Sequence, residues 1–495
     1  MLTNIGIWHR NDLRLRDNKA LALGMKDGNV HPFFIFDPRF YKSSKVSDKR
    51  IKFLHESLEE LDEKYQSKGS RMTYYHGSVQ DTIRDILGTV DKLYVKSDVS
   101  SGYARERDMK LSRLDDVEFI HDDGVKRDQP TRENWRVQAE EYFKSETFNE
   151  PSSINKPILN SKTSIEDIEE TYNTSSETGK RHRGGCKTGY NQLDSFIEDI
   201  DEYVGSISSP WKAEKNTSQL SPYIKFGCVS IRDAYQSAKK DGDDGRAVEM
   251  FTSRLFWNQH FTQKLYDNPD IMRESINPVF RGINYGTHDD KMSERWKNGT
   301  TGFPLIDASM RSLKQTGWMN FRMRAMCSSF YTYILRCWWK KGADWFYKHL
   351  VDADPAINYY QWQMQSGLVG VHPLRIYNPM KQVRENDPEG KFIKKYVPEL
   401  RDFPAKYLDN PKKAPIKVQE ECGVDIGEDY PYPIVNYEQR RDEARDKWSD
   451  LDDRAKEALE LPSVLKKASL SSDRKEELDS NEQDADGQTR LSDFG

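Results

Sequence analysis

The run Asp352-Ala353-Asp354-Pro355-Ala356-Ile357-Asn358-Tyr359-Tyr360-Gln361-Trp362-Gln363-Met364-Gln365-Ser366-Gly367 decides how the rest of the chain is read. It sets two acids, an amide and a Trp close together among aromatic residues. Just upstream, Gly317-Trp318 opens a segment whose apolar residues are Met319, Met323, Met326, Phe330, Ile334 and Cys337. Steps of three and four predict the buried stripe of a helix. Arg322 and Arg324 lie inside that stripe. A guanidinium stays charged when buried, so each needs a carboxylate or an anionic ligand, and Asp352 and Asp354 are the candidates. Two readings stand: a core ion pair joining two helices, or the wall of a pocket for a flat, charged cofactor.

The chain has 495 residues, too many for one ordinary core, so two domains are expected. Hydrophobic residues make up 36% and charged residues 32%, the balance of a soluble protein with a charged surface. Aromatics reach 12%, with 11 Trp, which suits a filled core or stacking platforms. A formal net charge of -5 excludes a uniformly basic nucleic-acid binder, so any DNA contact falls to a local basic face. Cys186, Cys228, Cys327, Cys337 and Cys422 are scattered without metal-ligand spacing and read as reduced thiols. No apolar signal region opens the chain and no run is long enough to span a bilayer. A cytoplasmic monomer is expected, nucleoid-associated in a prokaryote.

Residues 4–8, 31–36, 71–75, 92–96 and 117–120 are short β-branched or aromatic runs, separated by amphipathic segments at 17–26, 49–66, 78–88 and 102–114. This alternation predicts a doubly wound parallel sheet. No Gly-rich dinucleotide fingerprint follows the first run. Trp8-His9-Arg10-Asn11-Asp12-Leu13-Arg14-Leu15-Arg16-Asp17-Asn18 stands there instead, with Arg10, Asp12 and Arg14 reading as a loop salt-bridge network. The polar stretch 131–200 reads as a connector with short helices. Its basic segment Gly179–Gly189 lacks the Gly-Lys-Ser/Thr end of a phosphate loop and reads as a flexible linker. Long helical patterns fill 201–450. Beyond 450 the chain is acidic, Ser-rich and poor in aromatics, so disorder is expected over 451–495. The expected parts are therefore 1–130, 131–200, 201–450 and 451–495.

Gly302-Phe303-Pro304-Leu305-Ile306-Asp307-Ala308-Ser309-Met310-Arg311, Thr316-Gly317-Trp318-Met319-Asn320, Arg375-Ile376-Tyr377-Asn378-Pro379 and the closing Tyr430-Pro431-Tyr432-Pro433-Ile434-Val435 resemble the flavin domain of the DNA photolyase/cryptochrome family. The Trp8–Asn18 stretch is similar to the opening of photolyases. The resemblance implies an α/β N-terminal doubly wound parallel-sheet domain holding an antenna chromophore, and an all-α C-terminal FAD-binding domain. Ser101 stands where folate-antenna relatives carry Glu, which argues against folate and leaves a deazaflavin, another flavin or no antenna.

The same resemblance assigns residues. Trp318, Arg322, Arg324, Asp352, Ala353, Asp354 and Asn358 would surround FAD, with Arg324 and Asp352 as the ion pair beside its ring system. Tyr203 and the loop Thr217-Ser218-Gln219-Leu220-Ser221 would hold the rest, hydroxyls and backbone N–H groups suiting the pyrophosphate. Gln219 replaces the usual Arg, and taken alone this loop would be an ordinary helix cap. Asn358 falls where photolyases place Asn near the flavin's reactive nitrogen, while plant cryptochromes carry an acid and insect ones a Cys. The implied activity is light-driven splitting of a cyclobutane pyrimidine dimer flipped out of UV-damaged DNA. Trp257 matches the lesion's stacking platform, and core packing is its bland alternative. Arg254, Asn258, His260, Phe321, Arg322 and Gln382 are the other expected DNA contacts. The basic run Lys381, Arg384, Lys391, Lys394 and Lys395 would meet phosphates, or be a solvated loop.

Arg254 replaces a Glu that touches the dimer, and Phe321 and Ala325 replace a typical Asn and Met. These departures are what a cryptochrome-type blue-light sensor would show. A (6-4) photolyase would need a His pair, where Val371 and Arg375 stand beside a lone His372. Trp362 and Trp339 match the inner and middle members of the family's electron-transfer chain. The outer position is Gly286, leaving Tyr285, Trp338 or Tyr360 to complete a rerouted path. The C-terminal Gln488-Thr489-Arg490-Leu491-Ser492-Asp493-Phe494-Gly495 resembles peptides that dock on DNA sliding clamps, with Gln488, Leu491 and Phe494 as anchors.

Overall fold

A computed structural model describes residues 3–99, 102–127, 135–174, 182–240, 245–371 and 374–469. Strands β1 (Thr3–Trp8), β2 (Gly28–Phe36), β3 (Thr73–His76), β4 (Lys92–Lys96) and β5 (Val117–Ile120) pair in parallel in the order β3-β2-β1-β4-β5. Each falls within a few residues of its expected position. Helices α1 (Lys19–Asp27), α2 (Asp48–Ser67), α3 (Val79–Leu87) and α4 (Tyr103–Leu111) make the crossovers. The order reverses between β1 and β4, which opens a crevice at their C-terminal ends. Arg10 fills part of it, bonding Asp108 at 2.7 Å with its guanidinium 4.9 Å from the Trp8 ring. Arg14 donates to the carbonyls of Gly227 and Asp17, so the loop network exists and reaches beyond its own domain.

The connector carries α5 (Trp135–Lys144), α6 (Ile165–Tyr172) and α7 (Cys186–Glu198). The expected flexible linker is corrected at its C-terminal end. The Gly184 and Gly185 N–H groups donate to Glu56 and Ser57 of α2. A Cβ on Gly184 would sit 2.2 Å from the Phe53 carbonyl oxygen, so only glycine lets the chain lie this close. Residues 179–181 of that stretch lie outside the described residues. Nor does 200 separate two cores. One apolar cluster runs from Ile5 and Leu13 of the sheet domain through Leu193, Tyr203, Leu220 and Tyr223 to Leu255 and Val351.

The helical part includes α8 (Pro210–Asn216), α9 (Ser221–Lys225), α10 (Ile231–Lys239), α11 (Arg246–Asp267), α12 (Pro304–Thr316), α13 (Phe321–Ser329), α14 (Trp339–His349), α15 (Pro355–Gln365), α16 (Pro379–Asn386), α17 (Lys391–Tyr396), α18 (Tyr437–Glu460) and α19 (Pro462–Ala468), with further helices at Asp290–Asn298 and Ile416–Cys422. The predicted stripe is buried at every position, but one helix does not carry it. Trp318 and Met319 precede α13, Phe330–Ile334 form a π-helical turn, and Arg336 adopts φ +54° before Cys337. Disorder from 451 is also corrected: α18 crosses that position, burying Ala444, Trp448, Ala455 and Leu459, and α19 folds back beyond it. The carbonyl of Ala468 accepts from Lys264 Nζ and Tyr360 Oη, both at 2.6 Å. The tail peptide at Gln488, Leu491 and Phe494 lies outside the described residues.

Arg50 of α2 locks the two parts together. It is buried, donates to the carbonyls of Tyr347, Lys348 and Leu350 at the end of α14, and lies 4.9 Å over the Tyr347 ring. Cations favour a helix C-terminus, where carbonyls lack intrahelical donors. This contact fixes the chain just before Asp352.

Candidate functional site

Asp354 turns the chain into α15. Its Oδ1 accepts the N–H groups of Ala356 and Ile357 at 2.8 and 3.2 Å, and Pro355 occupies the first helical position. The other oxygen accepts Lys225 of α9 at 2.8 Å, so the expected arginine partner is corrected to a lysine. Burial pulls the Lys225 ammonium down, but Asp354 and Asp98 outweigh it and hold it well above the usual lysine range. Asp352 does meet Arg324: Oδ2 accepts Nη2 at 2.8 Å, while Arg324 Nε donates to the Met319 carbonyl at 2.7 Å. Arg322 turns elsewhere, to Ser208 Oγ at 3.3 Å and to the Tyr377 ring at 5.8 Å.

Asp352 Oδ1 is buried and, among the described residues, finds no hydrogen-bond partner. A buried carboxylate oxygen is costly to leave unpaired, so a donor from a bound group is the natural complement. Ala353 is buried between the two acids, and Asn358 lies one turn into α15 with Nδ2 donating to the Ala343 carbonyl at 3.0 Å. Trp318 is buried, placed by Gly317 at φ +71° closing α12. Tyr203 is buried beside Phe196 and Phe251. Burial raises its hydroxyl, and the positive charge of the nearby Arg254 opposes that shift.

In the loop before α9, the Thr217 hydroxyl donates to the Ala213 carbonyl and Gln219, at φ +48°, donates to the Glu214 carbonyl, each at 2.7 Å. Leu220 is buried, Ser218 half-buried and Ser221 exposed, so the two serine hydroxyls are the groups offered outward. An open carboxylate oxygen, a fixed guanidinium, an amide and a hydroxyl-bearing loop fit a flavin dinucleotide.

Trp257 of α11 is half-buried against His260 at 4.9 Å and Phe261 at 5.5 Å. His260 also meets Trp135 edge-on at 5.4 Å, a neighbour that the sequence reading missed because the connector supplies it. Arg254 and Asn258 are half-buried on the same helix, and Phe321 is 48% exposed at the start of α13. Gln382 is corrected: it is buried, and its Oε1 accepts the Asn386 amide at 3.0 Å. The basic run is largely balanced, with Lys381 on Glu385, Arg384 on Asp409, Lys391 on Glu389 and Lys395 on Glu214. Trp362 and Trp339 are buried. Trp362 lies 5.0 Å from Phe346 and 6.0 Å from Trp296. Tyr285 is 66% exposed and edge-on to Trp338 at 5.1 Å, whereas Tyr360 is sealed beneath Ala468. Ser101 and His372 lie outside the described residues.

The family model for the FAD binding domain of DNA photolyase matches residues 251–450, and that for DNA photolyase matches residues 5–124. A deoxyribodipyrimidine photo-lyase of Buchnera aphidicola is 30% identical over 478 residues, covering 88% of this chain and 94% of the relative. The chain belongs to the DNA photolyase/cryptochrome family. A (6-4)DNA photolyase of Oryza sativa is 29% identical over 492 residues, covering 87% of each chain. The solved structure of an archaeal photolyase from Sulfolobus tokodaii with two FAD molecules has a TM-score of 0.76 and 28% identity, covering 90% of this chain and 100% of that one. In this photolyase-family fold the FAD-binding domain begins within α11, so Trp257 and Arg254 belong to the same domain as Asp352, Arg324 and Asn358.

Proposed function

We propose that the protein is a light-driven DNA repair enzyme acting on cyclobutane pyrimidine dimers. Reduced FAD held in the helical domain supplies a photoexcited one-electron donor. The chain's own residues do the rest. Arg324, clamped by Asp352 and the Met319 carbonyl, orients the ring system. Asn358 presents a neutral amide there, which adds a hydrogen-bond donor without a charge. Trp257 offers a face for the flipped-out lesion, and base–aromatic stacking is worth about 1–3 kcal/mol.

The observation that carries this reading is the Arg324–Asp352 pair with its open carboxylate oxygen, just ahead of the helix whose first turn carries Asn358. Val371 and Arg375 replace the His pair that a (6-4) enzyme would need. Arg254, Phe321 and Ala325 favour the sensor as second reading, since each alters the expected dimer contacts. The two-flavin relative supports a second flavin, rather than a folate, as antenna in the sheet domain. The tail is assigned to a sliding clamp, with Gln488, Leu491 and Phe494 as anchors.

The test is illumination of the reduced protein with blue light on oligonucleotides carrying either a cyclobutane dimer or a (6-4) product, followed by chromatography of the restored pyrimidines. Restoration of the dimer alone is expected. Restoration of the (6-4) product alone, or of neither, overturns the assignment, the latter in favour of the sensor.

A further inference from the structure

A cleft of about 340 Å³ lies between α18 and the turns that follow the short helix Pro278–Phe280. The two walls are joined from beneath. Asn277 is fully buried and donates to the Ala455 carbonyl of α18 at 3.0 Å, and Phe280 stacks on Trp448 at 6.4 Å. This docking brings Arg281, which opens the turns, and Lys447, the neighbour of Trp448, to one cleft. The charge there is one-sided, because no carboxylate stands among the described residues that line it. Arg281 meets Glu274 at 3.1 Å, an exposed ion pair of the kind that contributes little. Lys447 Nζ donates to Asn284 Oδ1 at 2.8 Å, which uses one of its three protons. Asn284 is itself buried, and its amide donates to the Thr332 carbonyl at 2.7 Å, so it holds the ammonium in place. Burial and then Arg336 pull Lys447 down from the usual lysine range, the response of a cation without a carboxylate partner.

The backbone adds donors. Gly282 at φ +72° and Asn284 at φ +60° flank Ile283, and turns of this kind present successive N–H groups to an anion. The N–H groups of Gly282, Gly286 and Thr287 find no protein acceptor among the described residues. A Cβ on Gly282 or Gly286 would meet nothing within 4 Å, so the turns leave room beside them. Val279, Ile283 and Leu451 give the cleft an apolar side. The larger cleft, of about 460 Å³ beyond the end of β5, differs in charge. It sets Lys19, Arg127 and Arg232 among Asp122, Asp123 and Glu146, so cations and acids balance there.

We propose that the cleft between α18 and residues 281–287 binds a small phosphate monoester, with Arg281 and Lys447 on the phosphate and the apolar side against the organic body. A guanidinium, an ammonium and N–H groups from separate elements suit the three outer oxygens of a phosphate better than the two of a carboxylate. The volume is far above the roughly 30 Å³ of one water, so a bare ion would leave most of it unfilled. It falls at the lower end of the roughly 300–1,000 Å³ of small-molecule sites. None of these residues belongs to the flavin wall or the lesion platform, so the proposal needs neither assignment.

The test is calorimetric titration of the full chain with adenosine monophosphate, in excess FAD so that the nucleotide cannot enter a flavin site, and with acetate as the carboxylate control. One molecule should bind per chain. Its affinity should fall as salt rises and increase as pH passes about 6, where a phosphate monoester takes its second charge. Lys447→Gln and Arg281→Gln should each weaken binding about tenfold, the loss of one charge-assisted hydrogen bond. Gly286→Leu should abolish binding by filling the cleft, with an unchanged circular dichroism spectrum because its Cβ has room. No heat from adenosine monophosphate, equal binding of acetate, or an affinity unmoved in all three variants overturns the proposal. So does an undamaged DNA duplex that expels the nucleotide and loses affinity in the same variants, which would assign the cleft to backbone phosphates. A chain that takes up no FAD counts against the flavin wall and leaves this titration to decide the cleft.

Discussion

Arg50→Met removes the lock between the sheet domain and the end of α14. Arg50 is about as buried as a core leucine, and its donors go to backbone carbonyls of Tyr347, Lys348 and Leu350. Burial pulls the guanidinium down from its usual range, while Tyr347 and Asp352 push back. Methionine keeps most of the volume but supplies no donor. Each buried carbonyl left unpaired costs about 1–3 kcal/mol, and the lost contact over Tyr347 adds about 0.5–2 kcal/mol. Removing a buried charge returns part of this through desolvation. The net expectation is a loss of about 3–5 kcal/mol, a large share of the roughly 5–15 kcal/mol that holds a domain folded. Because the chain runs directly from Leu350 to Asp352, flavin affinity should fall with it. Arg50→Lys should fall between, since one ammonium cannot span carbonyls that a planar fork reaches together. Urea unfolding and flavin titration of both variants measure this. An Arg50→Met midpoint corresponding to less than about 0.5 kcal/mol, with unchanged flavin binding, would refute the lock.

Trp257→Ala should weaken binding to dimer-containing DNA by about 1–3 kcal/mol and leave flavin content unchanged; equal lesion affinity in fluorescence anisotropy would return Trp257 to the core. His349 gives a pH dependence. Burial first, then Lys348, Lys314, Lys49 and Arg50, push its imidazole down to about 4. The unfolded chain takes up that proton near 6.5, so it binds more protons between those values and stability falls as pH drops through the window. His349→Gln should flatten the thermal midpoint between pH 6.5 and 4; an unaltered slope would contradict the shift. Ending the chain after Glu460 removes α19 and strips Lys264 and Tyr360 of the Ala468 carbonyl, at an expected cost of about 2–4 kcal/mol in urea unfolding. Ending it after Ser469 should leave stability unchanged and abolish binding to a sliding clamp in a pull-down; retained clamp binding rules out the tail peptide.

Much of the architecture was legible because its signals are local. The sheet strands are short β-branched runs, and alternation with amphipathic helices fixes a parallel sheet. A charged side chain in an apolar stripe demands an opposite charge, which names Asp352 and Asp354 as candidates for Arg322 and Arg324; the particular pairing of Arg324 with Asp352 comes from the family resemblance. Asp354 was not resolved this way. Its partner Lys225 comes from a helix more than a hundred residues earlier, and its cap on α15 uses an oxygen that the ion pair leaves free. The stripe from Met319 to Cys337 kept its burial while the backbone beneath it changed, since periodicity reports a face and not the helix type. Composition misled beyond 450. The charged surface of α18 hides a stripe at Ala444, Trp448, Leu451, Ala455 and Leu459, whose steps of four and three were present to be read. Gly184 and Gly185 read as a linker because glycine serves both flexibility and close packing, and only the neighbouring α2 distinguishes them. Gln382 gave no signal that it points inward.

Flavin content measured directly tests the site most simply. The full chain, purified in the dark, should carry close to one FAD per molecule, with a flavin absorbance spectrum that is lost in Asp352→Ala. Protein that is colourless as purified and takes up no FAD on reconstitution, while keeping a cooperative unfolding transition, would contradict the assignment of the Arg324–Asp352 wall.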